Sequence, residues 1–116
     1  MKGKGILFLL AFVSFNIVSA EYFIDRTIVG TGIYSSGEFS VLFVNVDGDI
    51  REMAPCATTE RFAISSTAAN YQDMVTLVMT AYAAKEKHVD LLVSNSCNHW
   101  GDAQDILGVK VGIIPW

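Results

Sequence analysis

The first twenty residues limit what this chain can fold into more than any other feature, because they have the layout of a cleavable signal peptide. Two lysines give a positive start, residues 6–18 are apolar, and Val18-Ser19-Ala20 places small residues where a signal peptidase cleaves. The apolar run is shorter than the about 20 residues that span a bilayer. We therefore expect residues 1–20 to be removed on export, leaving no membrane span. The mature protein would then begin at Glu21 and be periplasmic or secreted.

The remainder, residues 21–116, is predicted to form a single small acidic domain. Its 96 residues are enough for one modest hydrophobic core and too few for two domains. Two of the chain's eight basic residues lie in the signal segment, which leaves six basic against twelve acidic residues and a formal net charge of −6. Because negative charge repels phosphate groups, we expect no nucleic-acid partner.

Both cysteines, Cys56 and Cys97, lie in this domain. An even number of cysteines in an oxidising compartment predicts a disulfide bond. Closing a loop of about 40 residues stabilises a fold by roughly 4 kcal/mol in the chain-entropy treatment. The alternative is a pair of reduced, buried thiols, which export disfavours.

Several segments have the composition of β-strands. The clearest is EFSVLFVNV, residues 38–46, in which Phe39, Val41 and Phe43 share one face and aliphatic residues occupy the other. Because both faces are apolar, we expect both to be covered. Shorter strands are predicted over residues 28–34, 49–53 (a return strand after the hairpin signal Asp47-Gly48), 61–65, 89–94 and 106–114.

One helix is predicted in the second half of the domain. Five side chains recur at helical spacing and form one apolar stripe: Tyr71, Met74, Val75, Val78 and Tyr82. Three or four strands, one helix and two closing strands is the element order of a small OB-like barrel in a mainly β, α+β fold. The alternative is an open antiparallel sheet with one packed helix.

Residues 97–105 are the densest run of polar, aromatic and ionisable side chains. Trp100 lies among Asn98, His99 and Asp102, and an aromatic face beside amide and carboxylate groups suits stacking on a sugar or docking to a protein. We therefore predict a ligand-binding loop at these four residues. The alternative is that Trp100 folds back over the disulfide.

Two chemical interpretations of the same segment have less support. A metal site at His99, Asp102 and Asp105, with Cys97, lacks the paired ligand spacing of metal motifs. A nucleophile made of Cys97 with His88 or His99 needs a free thiolate, which a disulfide removes. We therefore expect no metal, no cofactor and no catalytic residue.

The domain has an acidic-aromatic start (Glu21-Tyr22), a β-meander, a helix over residues 71–84, an immediate strand over 88–93 and a final strand over 106–111. In this layout the chain resembles the B subunits of subtilase-type and pertussis-like bacterial toxins, and other small exported OB-fold proteins. The resemblance implies an OB-like fold, a ring-shaped pentamer and recognition of glycans. The cysteines are placed differently and the sugar-binding serine has no counterpart, so no binding residue is carried over.

These observations lead to three hypotheses about function. The first is an exported, non-enzymatic recognition module that binds a glycan or a protein partner. The second is a structural or inhibitory envelope protein that docks to another protein. The third is a small hydrolase whose site has no recognisable motif.

Overall fold

The computed structural model describes residues 20–115, which form six strands and one helix. Residues 1–19, with most of the predicted signal peptide, and Trp116 lie outside the described residues. The prediction of a mainly β, α+β fold is confirmed, and the helix and the fifth strand have the predicted bounds. The elements are β1 (Ala20–Arg26), β2 (Ile28–Ser35), β3 (Ser40–Val46), β4 (Phe62–Ser65), α1 (Tyr71–Ala84), β5 (Val89–Ser94) and β6 (Gln104–Val111).

The six strands form one mixed sheet in the order β1-β5-β6-β4-β3-β2. Neighbouring strands are antiparallel except β4 and β6, which run parallel with Phe62 opposite Gln104. The edge strands β1 and β2 are consecutive in the chain and are separated only by Thr27, but no ladder of hydrogen bonds joins them in the described part of the chain. The sheet is therefore open, as in the alternative to the barrel, although that alternative assumed antiparallel pairing throughout.

The main hydrophobic core lies between one face of the sheet and α1. Leu42 and Val44 of β3 face this core, together with Val78 and Ala81 of α1. The predicted helix stripe is wrong at its C-terminal end, where Tyr82 is 45% exposed and Ala81 is buried instead. The buried residues Tyr71, Met74, Val78 and Ala81 form one row along the helix, whereas Val75 and Tyr82 lie on one side of this row, where burial is partial or absent.

The opposite face of β3 is also covered, as the apolar pattern on both faces predicts. Val41 forms a second buried cluster with Ala63 of β4 and Ala103, which directly precedes β6. The partly buried side chains that pack against this cluster are Phe39, Phe43 and Trp100. The two faces of one strand therefore contribute to two separate cores, and the smaller core lies beside the predicted ligand-binding loop.

The return strand predicted after Asp47 is wrong, because residues 47–61 form an irregular loop of turns. The Asp47 carboxylate accepts the backbone N–H of Thr27 at 2.8 Å, so it fastens the end of β3 to the junction of β1 and β2. Further along, the buried Gln104 side chain accepts the N–H of Ala54 at 3.0 Å. In a hairpin, the backbone groups of this segment would bond to the neighbouring strand. Here Asp47 and Ala54 instead make hydrogen bonds to residues that are distant in the sequence.

The two ends of the sheet also differ from the predictions. β1, which the apolar periodicity does not reveal, pairs with β5 through residues such as Glu21 and Val93. β6 ends at Val111, because Gly112 adopts a φ of +87° that takes the chain out of extended geometry. Ile113, which lies within the strand predicted over residues 106–114, is consequently outside β6 and 88% exposed. No helix within residues 20–115 is long and apolar enough to cross a membrane.

Candidate ligand-binding site

The predicted disulfide is present and joins the two loops that border the candidate site. The Sγ atoms of Cys56 and Cys97 are 2.05 Å apart and the Cα atoms are 6.2 Å apart. Cys56 belongs to the loop of residues 47–61, and Cys97 belongs to the loop of residues 95–103 between β5 and β6. The segment predicted to bind ligand, called the 98–102 loop below, therefore begins directly after a covalent anchor.

The buried carboxylate of Asp105 holds the start of the 98–102 loop. It accepts the backbone N–H groups of Asn98 and His99, each at 2.8 Å, and the hydroxyl of Ser96 at 2.5 Å. Burial raises the pKa of the Asp105 carboxyl, but the hydrogen bonds outweigh burial and leave the pKa below its ordinary value. Asp105 is thus an ionised acceptor that fixes the backbone of the loop.

Asp102, at the other end of the loop, is held by the segment that precedes β4. The guanidinium of Arg61 donates to the Asp102 carboxylate at 2.8 Å, and the hydroxyl of Thr59 donates to the Asp102 carbonyl at 2.8 Å. The Arg61 guanidinium carbon also lies 4.1 Å from the centroid of the Phe43 ring, which is a cation–π contact. Both ends of the 98–102 loop are therefore fixed by side chains from elsewhere in the fold.

Trp100 is part of an aromatic platform, by which we mean Tyr34, Phe43 and Trp100. The Trp100 ring meets Tyr34 and Phe43 edge-to-face, with centroid separations of 5.4 and 5.6 Å. Trp100 is half-buried and Tyr34 is 53% exposed, so part of the platform faces solvent. Gly32 is the register partner of Phe43, and a side chain at Gly32 would meet nothing within 4 Å, which leaves the sheet open beside the Phe43 ring.

His99 and Asn98 line a small cavity of about 240 Å³. The Nδ1 atom of His99 accepts the backbone N–H of Ser65 at 3.1 Å. A neutral imidazole that accepts at Nδ1 carries its proton at Nε2, so this contact selects one tautomer. The other side chains that line the cavity are Phe39, Ser65 and Thr67.

The four residues predicted to bind ligand lie in three different surroundings. Asn98 and His99 line the cavity, Trp100 belongs to the platform, and Asp102 is paired with a guanidinium. The sequence pattern missed the residues of the site that other strands and loops supply. Those residues are Tyr34, Phe39, Phe43, Arg61, Ser65 and Thr67.

Other ionisable groups named in the sequence analysis have structural partners. Cys97 is oxidised, and the Asp105 carboxylate is occupied by hydrogen-bond donors. His88 lies at the start of β5, where its Nδ1 is 3.3 Å from the Asp25 carboxylate. Across residues 20–115, no group of three or more His, Cys, Asp or Glu side chains is arranged to hold a metal ion.

A second concavity, which sequence reasoning did not predict, lies between the end of α1 and the start of β2. It has a volume of about 610 Å³. We call it the helix-end groove; its lining residues are Thr27, Ile28, Val29, Tyr82, Ala83, Lys85 and Lys87.

No protein-family model matches this chain, and no curated protein is significantly similar to it.

Proposed function

We propose that this protein is an exported, non-enzymatic recognition module that binds a glycan through the aromatic platform and the adjoining 98–102 loop. The observation that carries the proposal is the position of Trp100, half-buried against Tyr34 and Phe43, next to the polar side chains of Asn98 and His99. Aromatic faces bordered by hydrogen-bonding groups suit a ligand that has both apolar C–H surfaces and hydroxyl groups, as sugars do.

The rigidity of the loop supports binding without a large loss of conformational entropy. The disulfide at Cys97, the Asp105 carboxylate and the Arg61–Asp102 ion pair all fix the loop before any ligand arrives. Side chains that are already ordered do not lose rotamer freedom on binding, which preserves affinity.

The chemistry of the same groups supports recognition more than catalysis. Cys97 is in a disulfide, His99 uses Nδ1 on a backbone N–H, and Asp105 accepts N–H and O–H groups of its own loop. A nucleophile with an adjacent general base needs such groups to be available to each other.

The sheet order supports an OB-like relationship, which we include in the proposal. β1 and β2 are the two edge strands and only Thr27 separates them, so they are equivalent to one bent strand that borders both edges. Counted that way the sheet has five strands, the number in the partly open OB barrel. A toxin-B-subunit-like pentamer belongs to the same proposal, and the mass of the native protein in solution, measured by light scattering, tests it.

A glycan array followed by titration of the best ligand tests the main proposal. Trp100→Ala should weaken binding by roughly 1–3 kcal/mol, the range of an aromatic anchor. Tyr82→Ala is the matched control, because Tyr82 is an exposed aromatic residue of α1 in the helix-end groove. Loss of glycan binding with Tyr82→Ala but not with Trp100→Ala, or an array without any ligand, would contradict the proposal.

The helix-end groove favours a second candidate, docking to a protein partner in an inhibitory or structural role. Val29 and Tyr82 are exposed in it at 56% and 45%, beside Lys85 and Lys87. Exposed apolar side chains with a charged rim are typical of protein-binding surfaces. A partner that co-purifies with the wild type and is lost with Tyr82→Ala, but not with Trp100→Ala, would favour this candidate.

A further inference from the structure

The small cavity that His99 and Asn98 line adjoins the aromatic platform. Phe39, which lines the cavity, packs on the same second buried cluster as Trp100 of the platform, and His99 of the cavity directly precedes Trp100. The volume of the cavity, about 240 Å³, is below the range of about 300–1,000 Å³ that is typical of whole small-molecule sites. The cavity is therefore of a size for one substituent or part of one sugar ring rather than for a complete ligand.

The cavity has hydrogen-bond donors that find no acceptor among residues 20–115. With Nδ1 of His99 occupied by the N–H of Ser65, the imidazole proton is at Nε2, and no described residue accepts a hydrogen bond from it. The hydroxyls of Ser65 and Thr67 are 2.9 Å apart, so one donates to the other and one hydroxyl hydrogen is left over. The exposed amide of Asn98 adds a donor and an acceptor.

The charges around the cavity favour a neutral group. None of its five lining residues is Lys or Arg. The ionised carboxylate of Asp105 lies immediately behind the loop, on the backbone N–H groups of Asn98 and His99. A carboxylate, sulfate or phosphate group would therefore enter without a cation and next to a negative charge, which is unfavourable.

We propose that the cavity binds the acetamido group of a neutral 2-acetamido sugar whose ring lies on the aromatic platform. This inference rests on the proposed glycan recognition and names its substrate class. The acetamido carbonyl accepts a hydrogen bond from His99 Nε2–H or from the remaining hydroxyl hydrogen of Ser65 and Thr67. The acetamido N–H donates to the side-chain carbonyl of Asn98, and the acetamido methyl group contacts Phe39. A sugar with a hydroxyl in place of the 2-acetamido group would leave the Phe39 ring without a contact and one hydrogen-bond donor of the cavity without an acceptor.

Paired sugars test this inference directly. The methyl glycosides of N-acetylglucosamine and N-acetylgalactosamine are compared with those of glucose and galactose by saturation-transfer NMR and titration on the purified protein. At least one acetamido sugar should bind roughly tenfold more tightly than its hydroxyl parent, a difference equal to about one net hydrogen bond. Its methyl protons should receive the strongest saturation.

Two variants with matched controls locate the effect in the cavity. His99→Asn keeps an acceptor for the Ser65 N–H but removes Nε2–H, and His88→Asn is its control at the start of β5. Thr67→Val removes a hydroxyl of the cavity, and Thr76→Val removes one on the exposed face of α1. The cavity variants should lower affinity for the acetamido sugar several-fold and reduce its advantage over the parent sugar, while the controls change neither the affinity nor the preference.

The outcomes separate this inference from the proposed function. If acetamido and parent sugars bind equally and Trp100→Ala weakens both, glycan recognition stands and the acetamido inference is overturned. The same holds if a preference for acetamido sugars survives both cavity variants, whose folding is verified by thermal denaturation. If no sugar binds and the array is also negative, the proposed function itself has failed.

Discussion

The carboxylate of Asp105 accepts the backbone N–H of His99 at 2.8 Å from a position that is only 4% exposed. The two residues are six positions apart in the chain, so the bond closes the turn that carries the candidate ligand-binding residues. The same carboxylate oxygen accepts the N–H of Asn98. Because an ionised carboxylate satisfies both N–H groups at once, the backbone at the start of the loop depends on this one charged side chain.

Asp105→Asn should therefore destabilise the protein by about 1–3 kcal/mol, the cost of leaving buried N–H groups without their acceptor. An asparagine offers only one oxygen, and its NH₂ group would face donors. The free energy of unfolding from urea titration measures the effect. Asp102→Asn is the control, because its ion pair with Arg61 is partly exposed and should contribute less than about 1 kcal/mol. Equal losses in the two variants would contradict the special role of Asp105.

Stability should decline in acid. Burial raises the pKa of Asp90, but the N–H of Asp25 and the ammonium of Lys110 outweigh burial, so the pKa of Asp90, like that of Asp105, is lowered. A carboxyl with a lowered folded pKa adds stability that is complete above its unfolded pKa of about 3.9 and is lost as the pH falls through the folded value. We expect the urea concentration at the unfolding midpoint to decrease as the pH is lowered below about 4. This decrease should be less steep in Asp105→Asn than in the wild type. A midpoint independent of pH down to about 2 would contradict this linkage.

Gln104 is a second buried polar residue whose removal should be costly. It is 0% exposed, accepts the N–H of Ala54 at 3.0 Å and donates to the carbonyl of Ser94 at 3.1 Å. Gln104→Leu keeps the approximate volume but leaves both backbone groups unpaired, so we expect a loss of about 2–4 kcal/mol in unfolding free energy. Gln72→Leu, on the exposed face of α1, is the control and should change stability by less than about 0.5 kcal/mol. A loss no larger than in the control would show that water replaces these partners.

Replacing both cysteines by serine should lower stability by roughly 2–4 kcal/mol, because the 41-residue separation of Cys56 and Cys97 closes a long loop. Intact mass without reductant establishes the bond in the wild type, and the same spectrum tests whether the mature chain begins at Glu21. Since Thr59 and Arg61 still hold Asp102, the 98–102 loop should retain part of its ligand affinity in the serine variant. Complete loss of binding in a folded serine variant would show that the disulfide alone orders the loop.

The fold could be predicted where it depends on the pattern of side chains within one short segment of the sequence. The positions of α1 and β5 and the two covered faces of β3 agree with side-chain periodicity, which is wrong only at the last turn of α1, where Tyr82 is exposed. The loop after β3 could not, because Asp47 bonds to Thr27 and Ala54 bonds to Gln104, both distant in sequence. Hairpin signals describe local preference, and these tertiary hydrogen bonds override it.

The site could be predicted only in part, for the same reason. Trp100 and its neighbours were found because they are contiguous, whereas Tyr34 and Phe43 reach Trp100 through the register of β2 with β3. Asp105 was considered as a metal ligand, since sequence alone does not show that backbone N–H groups already occupy a carboxylate. The apolar residues Val41 and Phe43, on the face of β3 opposite the main core, were the one sign in the sequence that other side chains pack over this face.

Trp100 should affect both stability and binding, because its ring touches Tyr34 and Phe43 while part of it faces solvent. Trp100→Ala removes two edge-to-face contacts and some buried surface, so we expect a loss of about 1–3 kcal/mol in unfolding free energy. Trp100→Phe keeps a ring against the platform and should lose less. Thermal and urea denaturation of both variants measure the structural part of the effect.

The binding part is separated by titrating the ligand from the array into folded protein only, at a temperature well below the melting transition of each variant. If Trp100 stacks on the sugar, affinity per folded molecule falls by roughly 1–3 kcal/mol in Trp100→Ala and by less in Trp100→Phe. If Trp100 only completes the cluster with Tyr34 and Phe43, both variants lose stability and bind as tightly as the wild type. That second result would remove the aromatic platform from the binding site, because the exposed part of Trp100 would then have no ligand to contact.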